Sequence, residues 1–406
     1  MDERPLTGVR VLDFTWAWAG PFCTLQLAHL GAEVIRIETT TRPLCVSRSI
    51  PPFADDTAGP NRAGYFNQYN QGKRSIVLNL RRPEALEIAY QLVKQCDVVT
   101  ENFAAGVSEK LGLGYAKLTQ YRRDLIMISM SGYGQIGPYR KFLGYGGPAA
   151  ALSGLFSATG YRGGEPAEIG ISYPDPNAGI FGAYAILAAL VHRDFTGEGQ
   201  YIDQSQWEAT LPVVAEGLLE YAVNGREPVR DGNHDPLMAP HNCYKAAGDD
   251  DKWVSIAVGS DAEWRALASA MERPELGDDP RFRTARDRKR NEGVLDEIIT
   301  AWTRGRDRWK TAETLQRAGV AAFPSLSNKD LATDPHLMER GYLVSLEHPE
   351  IGRRIHAGIP WTMSGTPCRL ESPAPLIGAD TDEVLKSLLG MSAERIAELR
   401  REGVVS

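Results

Sequence analysis

Residues 8–38 read GVRVLDFTWAWAGPFCTLQLAHLGAEVIRIE, and this stretch decides the fold. GVRVLDF predicts a buried strand over 8–14, closed by a polar turn that begins at Thr15. In PFCTLQLAHL, Pro21 stands where a helix opens, apolar residues recur at helical spacing, and Gly31 stops the run. AEVIRIE then returns as a strand. A strand–helix–strand unit of about thirty residues is the building block of a parallel α/β sheet. The unit lacks GxGxxG, so a nicotinamide dinucleotide has no fingerprint in it.

Working outward, the same grammar repeats. Residues 39–64 are rich in Pro, Thr and Arg and read as a long surface loop. NQGKRSIVLNL (70–80) is a turn and a strand, PEALEIAYQLV opens a helix with Pro83, and CDVVTEN is the next strand. LIMISMSGYG (125–134) is a strand running into a Gly-rich turn. Ligands of open α/β sheets bind just beyond such strand ends. Lys73, Arg74, Asn102, Phe103 and Lys110 are therefore candidate ligand contacts, although each cation taken alone also reads as solvated surface charge. RDGNHDPLMAPHNCYKAAGDDDKW (230–253) reads as an interdomain linker, and RFRTARDRKRNEG (281–293) as a solvated basic run.

The chemistry gathers at IGISYPDPNAGIFGAYAILAALVHRDFTGEGQYID (169–203), a Pro-flanked turn, a small-residue apolar helix and a return into a strand. Asp175 reads as the N-cap of that helix with Pro176 at N1. Helix dipole and free amides at such a position favour the charged carboxylate. An ionised carboxylate in a dry pocket is also a competent nucleophile toward an activated acyl group, so capping and catalysis can share this geometry. Asp203, in YIDQS, reads as a second capping position. Tyr145 lies in the small-residue stretch LGYGGPAAA and reads as a buried tyrosine with a satisfied hydroxyl. No Ser stands in GxSxG, and no Cys has an adjacent His.

Composition narrows the classes. The chain has 406 residues, 43% hydrophobic and 24% charged, which predicts two soluble domains. A net charge of −7 with interleaved signs speaks against a nucleic-acid surface. The apolar run 178–191 is too short to span a bilayer, so no membrane is expected. The five cysteines and seven histidines show no metal-ligand spacing, so no metal is expected. The opening MDERPLTG is polar, and the expected compartment is the cytoplasm.

The stretches 8–38, 70–80, TENFAAGVSEKLGLGY (100–115), PDPNAG with AILAALVHRDFTGEGQYIDQS, and PAPLIGADTDEVL (373–385) together resemble the class III CoA-transferases of CaiB/BaiF type. The DFTWAWAGP and YPDPNAG wording is similar to the benzylsuccinate-type branch. The resemblance implies an α/β fold: a large Rossmann-like CoA-binding domain from both chain ends (1–228 and 323–406), with a smaller α+β domain inserted at 229–322. It also implies an interlocked homodimer or a paralogous partner subunit. Coenzyme A and acyl-CoA enter as substrates, with organic acids as acceptors and no permanently bound cofactor. Asp175 is implied as the nucleophile that forms an acyl anhydride and then a CoA thioester, with Tyr145 and Trp18 beside it. Implied CoA contacts are Trp16, Ala17, Arg42, Lys73, Arg74, Asn102, Phe103 and Lys110. Trp18 replaces the glutamine of the formyl-CoA enzyme, Leu143 replaces its lysine, and HDPLMAPHN (234–242) replaces its glycine run. These departures favour a larger, more apolar acid than oxalate. In the related α-methylacyl-CoA racemases a histidine occupies the position of Tyr145, so racemase ranks below transferase, and a non-catalytic CoA-ester binder is the third reading.

Overall fold

The computed structural model describes residues 4–41, 43–248 and 251–406. The chain divides into two compact units. The first comprises the chain up to Phe156, Glu168–Arg226 and Pro335–Ser406; the second comprises Ser157–Ala167 and Glu227–Asp334. The second unit thus takes in a segment, 157–167, that the sequence reading left with the first. The Arg230 guanidinium ties it there, donating to the carbonyls of Ser157 at 3.2 Å and Gly164 at 3.0 Å.

In the first unit six strands form one parallel sheet: β1 Arg10–Asp13, β2 Glu33–Glu38, β3 Arg74–Val77, β4 Val98–Glu101, β5 Ile126–Ser131 and β6 Tyr201–Ser205. Their order is β3-β2-β1-β4-β5-β6, the doubly wound arrangement, which reverses direction between β1 and β4. Such strands are covered on both faces, which is why IMISMS in β5 is buried throughout. One face packs Val11, Val34, Val98 and Ile128 against helices α1 (Ala19–His29) and α4 (Pro174–Thr196). The other packs Leu12, Ile35, Val99 and Met127 against α2 (Pro83–Val93) and two C-terminal helices, Thr381–Leu389 and Ala393–Arg401. The chain end therefore returns to the first core, where Val405 bridges Leu78. A short helix, α3 (Gly146–Leu152), lies in the long connection from β5 to β6.

By length and composition α4 is apolar enough to cross a membrane, but its stripe of Ala178, Gly179, Gly182, Ala183, Ile186 and Leu190 is buried in the fold. Two glycines permit the close approach to α1. A Cβ at Gly179 would stand 2.8 Å from the Ala19 carbonyl, and one at Gly182 3.2 Å from Cys23 Sγ of α1 and 2.8 Å from Met130 Sδ of β5. After β6 the helical stretch SQWEATLPVVAEGLLEYAVNG is broken into 206–210 and 215–224 by a 3-10 turn at Leu211–Val214. Pro212, which lacks an amide proton, explains the break.

The second unit has a three-stranded antiparallel sheet (His241–Lys245, Trp253–Ala257, Ala321–Pro324) over a core of Trp264, Phe282, Leu295, Ile299 and Leu315. The expected solvated basic run is corrected here, because Arg288 is fully buried. It donates to the carbonyls of Ala239 and Phe282 and pairs with Asp261 at 2.9 Å.

A Gly179→Val substitution forces α1 and α4 apart. It should lower the unfolding free energy by about 1–3 kcal/mol through overpacking, read from the denaturant midpoint. An unchanged midpoint would contradict this packing.

Candidate active site

The turn leaving β1 is held from three sides. The Asp13 carboxylate is fully buried and accepts from the Thr15 amide at 2.8 Å and the Thr24 hydroxyl at 2.7 Å. Asn102, just past β4, accepts from the Trp16 amide at 2.7 Å and donates to the Trp16 carbonyl at 2.8 Å. The Ala17 amide donates to Cys45 Sγ at 3.4 Å, with Ala17 in the left-handed region at φ 61°. So fixed, the turn sends its two tryptophans to different places.

Trp16 faces a cavity of about 290 Å³ beyond the strand ends, which Phe103, Glu38, Thr39, Asn79 and Arg81 also line. Trp18 joins Tyr65 and Tyr69, with ring centroids 5.6 and 5.1 Å away. Beside this cluster stands Asp175. Tyr173 is the N-cap of α4 and Pro174 is N1, so Asp175 occupies N2 and makes no capping bond; the expected N-cap placement is corrected. Its amide is closed onto the Ser172 carbonyl at 3.0 Å. The carboxylate is partly buried, and burial pushes its pKa up to about 6, against the pull of Gln206 and the Ala19 amide. The shift is opposite to that expected from the helix dipole. Even so, a group with that pKa is roughly nine-tenths ionised at pH 7. Gly146 is pressed against it: a Cβ there would collide with Asp175 Oδ2 and crowd Ser172. The position next to it, Tyr145, is 73% exposed rather than buried, because it precedes α3 and points away from the packed face.

The candidate CoA contacts separate by geometry. Trp16 and Phe103 line the strand-end cavity. Asn102 and Ala17 hold the turn. Lys110 is exposed, one residue before the cavity-lining Leu111. Lys73 is corrected: its ammonium is fully buried, donating to the Pro21 carbonyl at 2.9 Å, Thr24 Oγ1 at 2.8 Å and Asn70 Oδ1 at 3.0 Å, with Asp13 at 3.5 Å. Arg74 is also corrected, since it opens β3 at the opposite end of the strands and pairs with Glu33 at 2.8 Å and with Glu383. Arg42 lies outside the described residues. Asp203 caps nothing: it sits in β6 and accepts from the Gln135 amide at 2.9 Å, and Ser205 caps the next helix.

Several neighbours escaped the sequence reading. Gly146, Tyr65, Tyr69 and Gln206 reach Asp175 through tertiary contact alone, and Ser172 joins them from the turn before it. The exposed Arg81 was legible, because it follows β3 at the same kind of strand end as Phe103. Glu101, buried at the end of β4, is raised by burial to about 7. Among the described residues no group of three or more His, Cys, Asp or Glu side chains is placed to hold a metal ion.

The sequence profile of CoA-transferase family III matches residues 6–381. The succinyl-CoA–D-citramalate CoA-transferase of Chloroflexus aurantiacus is 34% identical over 412 residues, covering 99% of this chain and 98% of that one. The succinyl-CoA:mesaconate CoA-transferase of Haloarcula marismortui is 36% identical over 388 residues, covering 94% and 95%. The crystal structure of a CaiB/BaiF family protein from Brucella suis superposes with a TM-score of 0.86 at 30% identity, over 95% of this chain and 99% of the other.

Two substitutions test the electrostatics. Lys73→Ala leaves Asp13 buried beside fewer positive charges and should cost about 3–5 kcal/mol of stability. Weakened CoA affinity with unchanged stability would contradict its internal role. Asp175 has a folded pKa above its unfolded value, so its charged form opposes folding above pH 6, and the penalty fades as pH falls from 6 to 4. Asp175→Asn should therefore stabilise the protein at pH 8, by on the order of 3 kcal/mol at most, and not at pH 4. Thermal unfolding at both pH values reads this out.

Proposed function

The chain belongs to CoA-transferase family III, and from that premise we propose that Asp175 carries CoA between two acids as a covalent intermediate. The observation that carries this reading is a mostly ionised, partly shielded carboxylate with Gly146 against one oxygen and the Trp16–Trp18 turn alongside. Absence of a Cβ at 146 leaves room for an acyl carbon to approach that oxygen.

An Asp175 oxygen attacks the thioester carbonyl of the donor; the C–S bond breaks, giving an acyl–aspartyl anhydride and CoA thiolate. The thiolate attacks the aspartyl carbonyl, releases the donor acid and leaves an aspartyl-CoA thioester. The acceptor carboxylate attacks that thioester and expels the thiolate, forming a second anhydride. The thiolate then attacks the acceptor's acyl carbon, giving the new acyl-CoA and free Asp175. Each step exchanges one activated acyl bond for another, so the site mainly positions groups and keeps water out. The aromatic wall of Trp18, Tyr65 and Tyr69 supports that exclusion.

Trp16 and Phe103 receive the adenine end of CoA in the strand-end cavity, with Arg81 and Lys110 at hand for phosphates. Asn102 acts as a positioning residue through Trp16. The relatives named for succinyl-CoA make it the first donor to test. A second copy of the chain completes an interlocked dimer, a reading supported by the apolar face that Phe181, Val191 and Phe195 expose on α4.

Asp175→Ala should keep CoA binding by calorimetry and lose transfer by about four orders of magnitude or more. In the wild type, kcat/KM should fall below pH 6 as the carboxylate is protonated. Hydroxylamine added with succinyl-CoA should convert Asp175 to its hydroxamate, seen by peptide mass spectrometry. Transfer that survives the alanine substitution would refute the covalent route.

A further inference from the structure

A second cavity, of about 510 Å³, begins at Trp18, Tyr69 and Pro176, the neighbours of Asp175, and runs between α1 and α4. Along α4 it is lined from Pro176 through Ile180 to Leu187, twelve residues spanning roughly 16 Å of helix. Phe22 of α1 and Leu30 just past its end form the facing wall, and Trp361 closes part of the rim. Its mouth is electrically close to the nucleophile: burial, Tyr342 and the Asp175 charge together raise the Tyr69 hydroxyl.

The wall of this trench, among the described residues, contains no Lys, Arg, Asp or Glu. Its polar members are Gln26, Gln68, His29, tyrosine hydroxyls and the indole N–H groups of Trp18 and Trp361, and burial holds His29 neutral by pushing its pKa down to about 4. A carboxylate carried into such a wall loses its water and finds no cation in exchange. An apolar chain or ring entering it gains burial instead.

We propose that the trench holds the hydrocarbon body of an apolar monocarboxylic acid, aryl-substituted or medium-chain, whose carboxyl end lies at Asp175. The proposal rests on the transferase reading and names its acceptor class. It separates this chain from relatives named for citramalate and mesaconate, acids with a second carboxylate. A succinyl group is short enough to remain at the mouth, where Trp18, Tyr69 and Pro176 begin the wall, so it can serve as donor without entering the trench.

The test is a competition assay with purified enzyme, succinyl-CoA, and an equimolar pool of 3-phenylpropanoate, octanoate, butyrate, glutarate and mesaconate, with each CoA ester quantified by mass. The wild type should favour phenylpropanoate and octanoate over glutarate and mesaconate by tenfold or more in kcat/KM. Ile180→Lys sets an ammonium on the wall at a position 55% exposed, where a lysine is tolerated. It should lower the phenylpropanoate-to-glutarate ratio at least tenfold. Leu187→Trp, at the far end, should lower the octanoate-to-butyrate ratio. Preference for the dicarboxylates, or ratios unmoved by both variants, overturns the trench assignment and leaves the transferase reading standing. If no acid acquires CoA in the wild type, both readings fall. If Ile180→Lys changes the oligomeric mass but not the ratio, the trench belongs to a second copy and the proposal is overturned.

Discussion

One buried carboxylate organises this molecule. Asp13, at the end of β1, receives hydrogen bonds from Thr15, Thr24 and Thr100 and stands 3.5 Å from the Lys73 ammonium and 3.8 Å from Arg36. Those partners come from the following turn, α1, β4, the turn before β3, and β2. A charge so far from water is tolerable only when every neighbour is in place. It therefore couples strand order, the path of the first turn and the seating of α1. The Lys73 and Arg36 charges hold the Asp13 carboxyl below its ordinary range despite the opposing effect of burial, so it remains a fixed anion. Asn102 adds a clamp on Trp16, and the turn then directs one tryptophan to the strand-end cavity and the other to Asp175.

Asp175 is the opposite case. It has no ion-pair partner among the described residues, and burial raises its pKa instead of lowering it. A carboxylate poorly solvated yet still charged at neutral pH is a better nucleophile and a worse structural residue, the usual trade at a reacting centre. The fold can carry that cost because the buried charges of Asp13, Lys73, Arg36, Glu38 and Arg48 are paired with one another, Arg36 more loosely at 3.8 Å from Asp13.

The sheet was legible from residues 8–38 because local patterning and tertiary demand agree there. Strands buried on both faces must be apolar throughout, and helix punctuation by Pro21 and Gly31 is local chemistry. Asp175 was legible as a residue at the helix entrance, and its setting was misjudged. A helix that begins two residues earlier, at Pro174 instead of Pro176, moves Asp175 from cap to first turn, and desolvation by α1 and α3 is invisible in its own segment. Lys73 shows the same limit: an ammonium beside a strand reads as surface charge until a carboxylate sixty residues earlier draws it inward. Arg288 was misread for the same reason, within a run of basic residues whose other members do face water or pair locally. Gly146 carried no signal at all, since its reason for lacking a side chain is an oxygen of Asp175.

The central claim is that Asp175 is chemically altered and restored in every turnover. Supplying an acceptor acid labelled with oxygen-18 in both carboxyl positions tests it most directly, by mass spectrometry of the peptide that contains Asp175 after a few turnovers. If the acceptor passes through an aspartyl anhydride, one labelled oxygen stays on Asp175 when the thiolate takes the acyl group. The peptide should be heavier by at least one such label. A peptide of unchanged mass from an enzyme that has demonstrably formed the new CoA ester would contradict it.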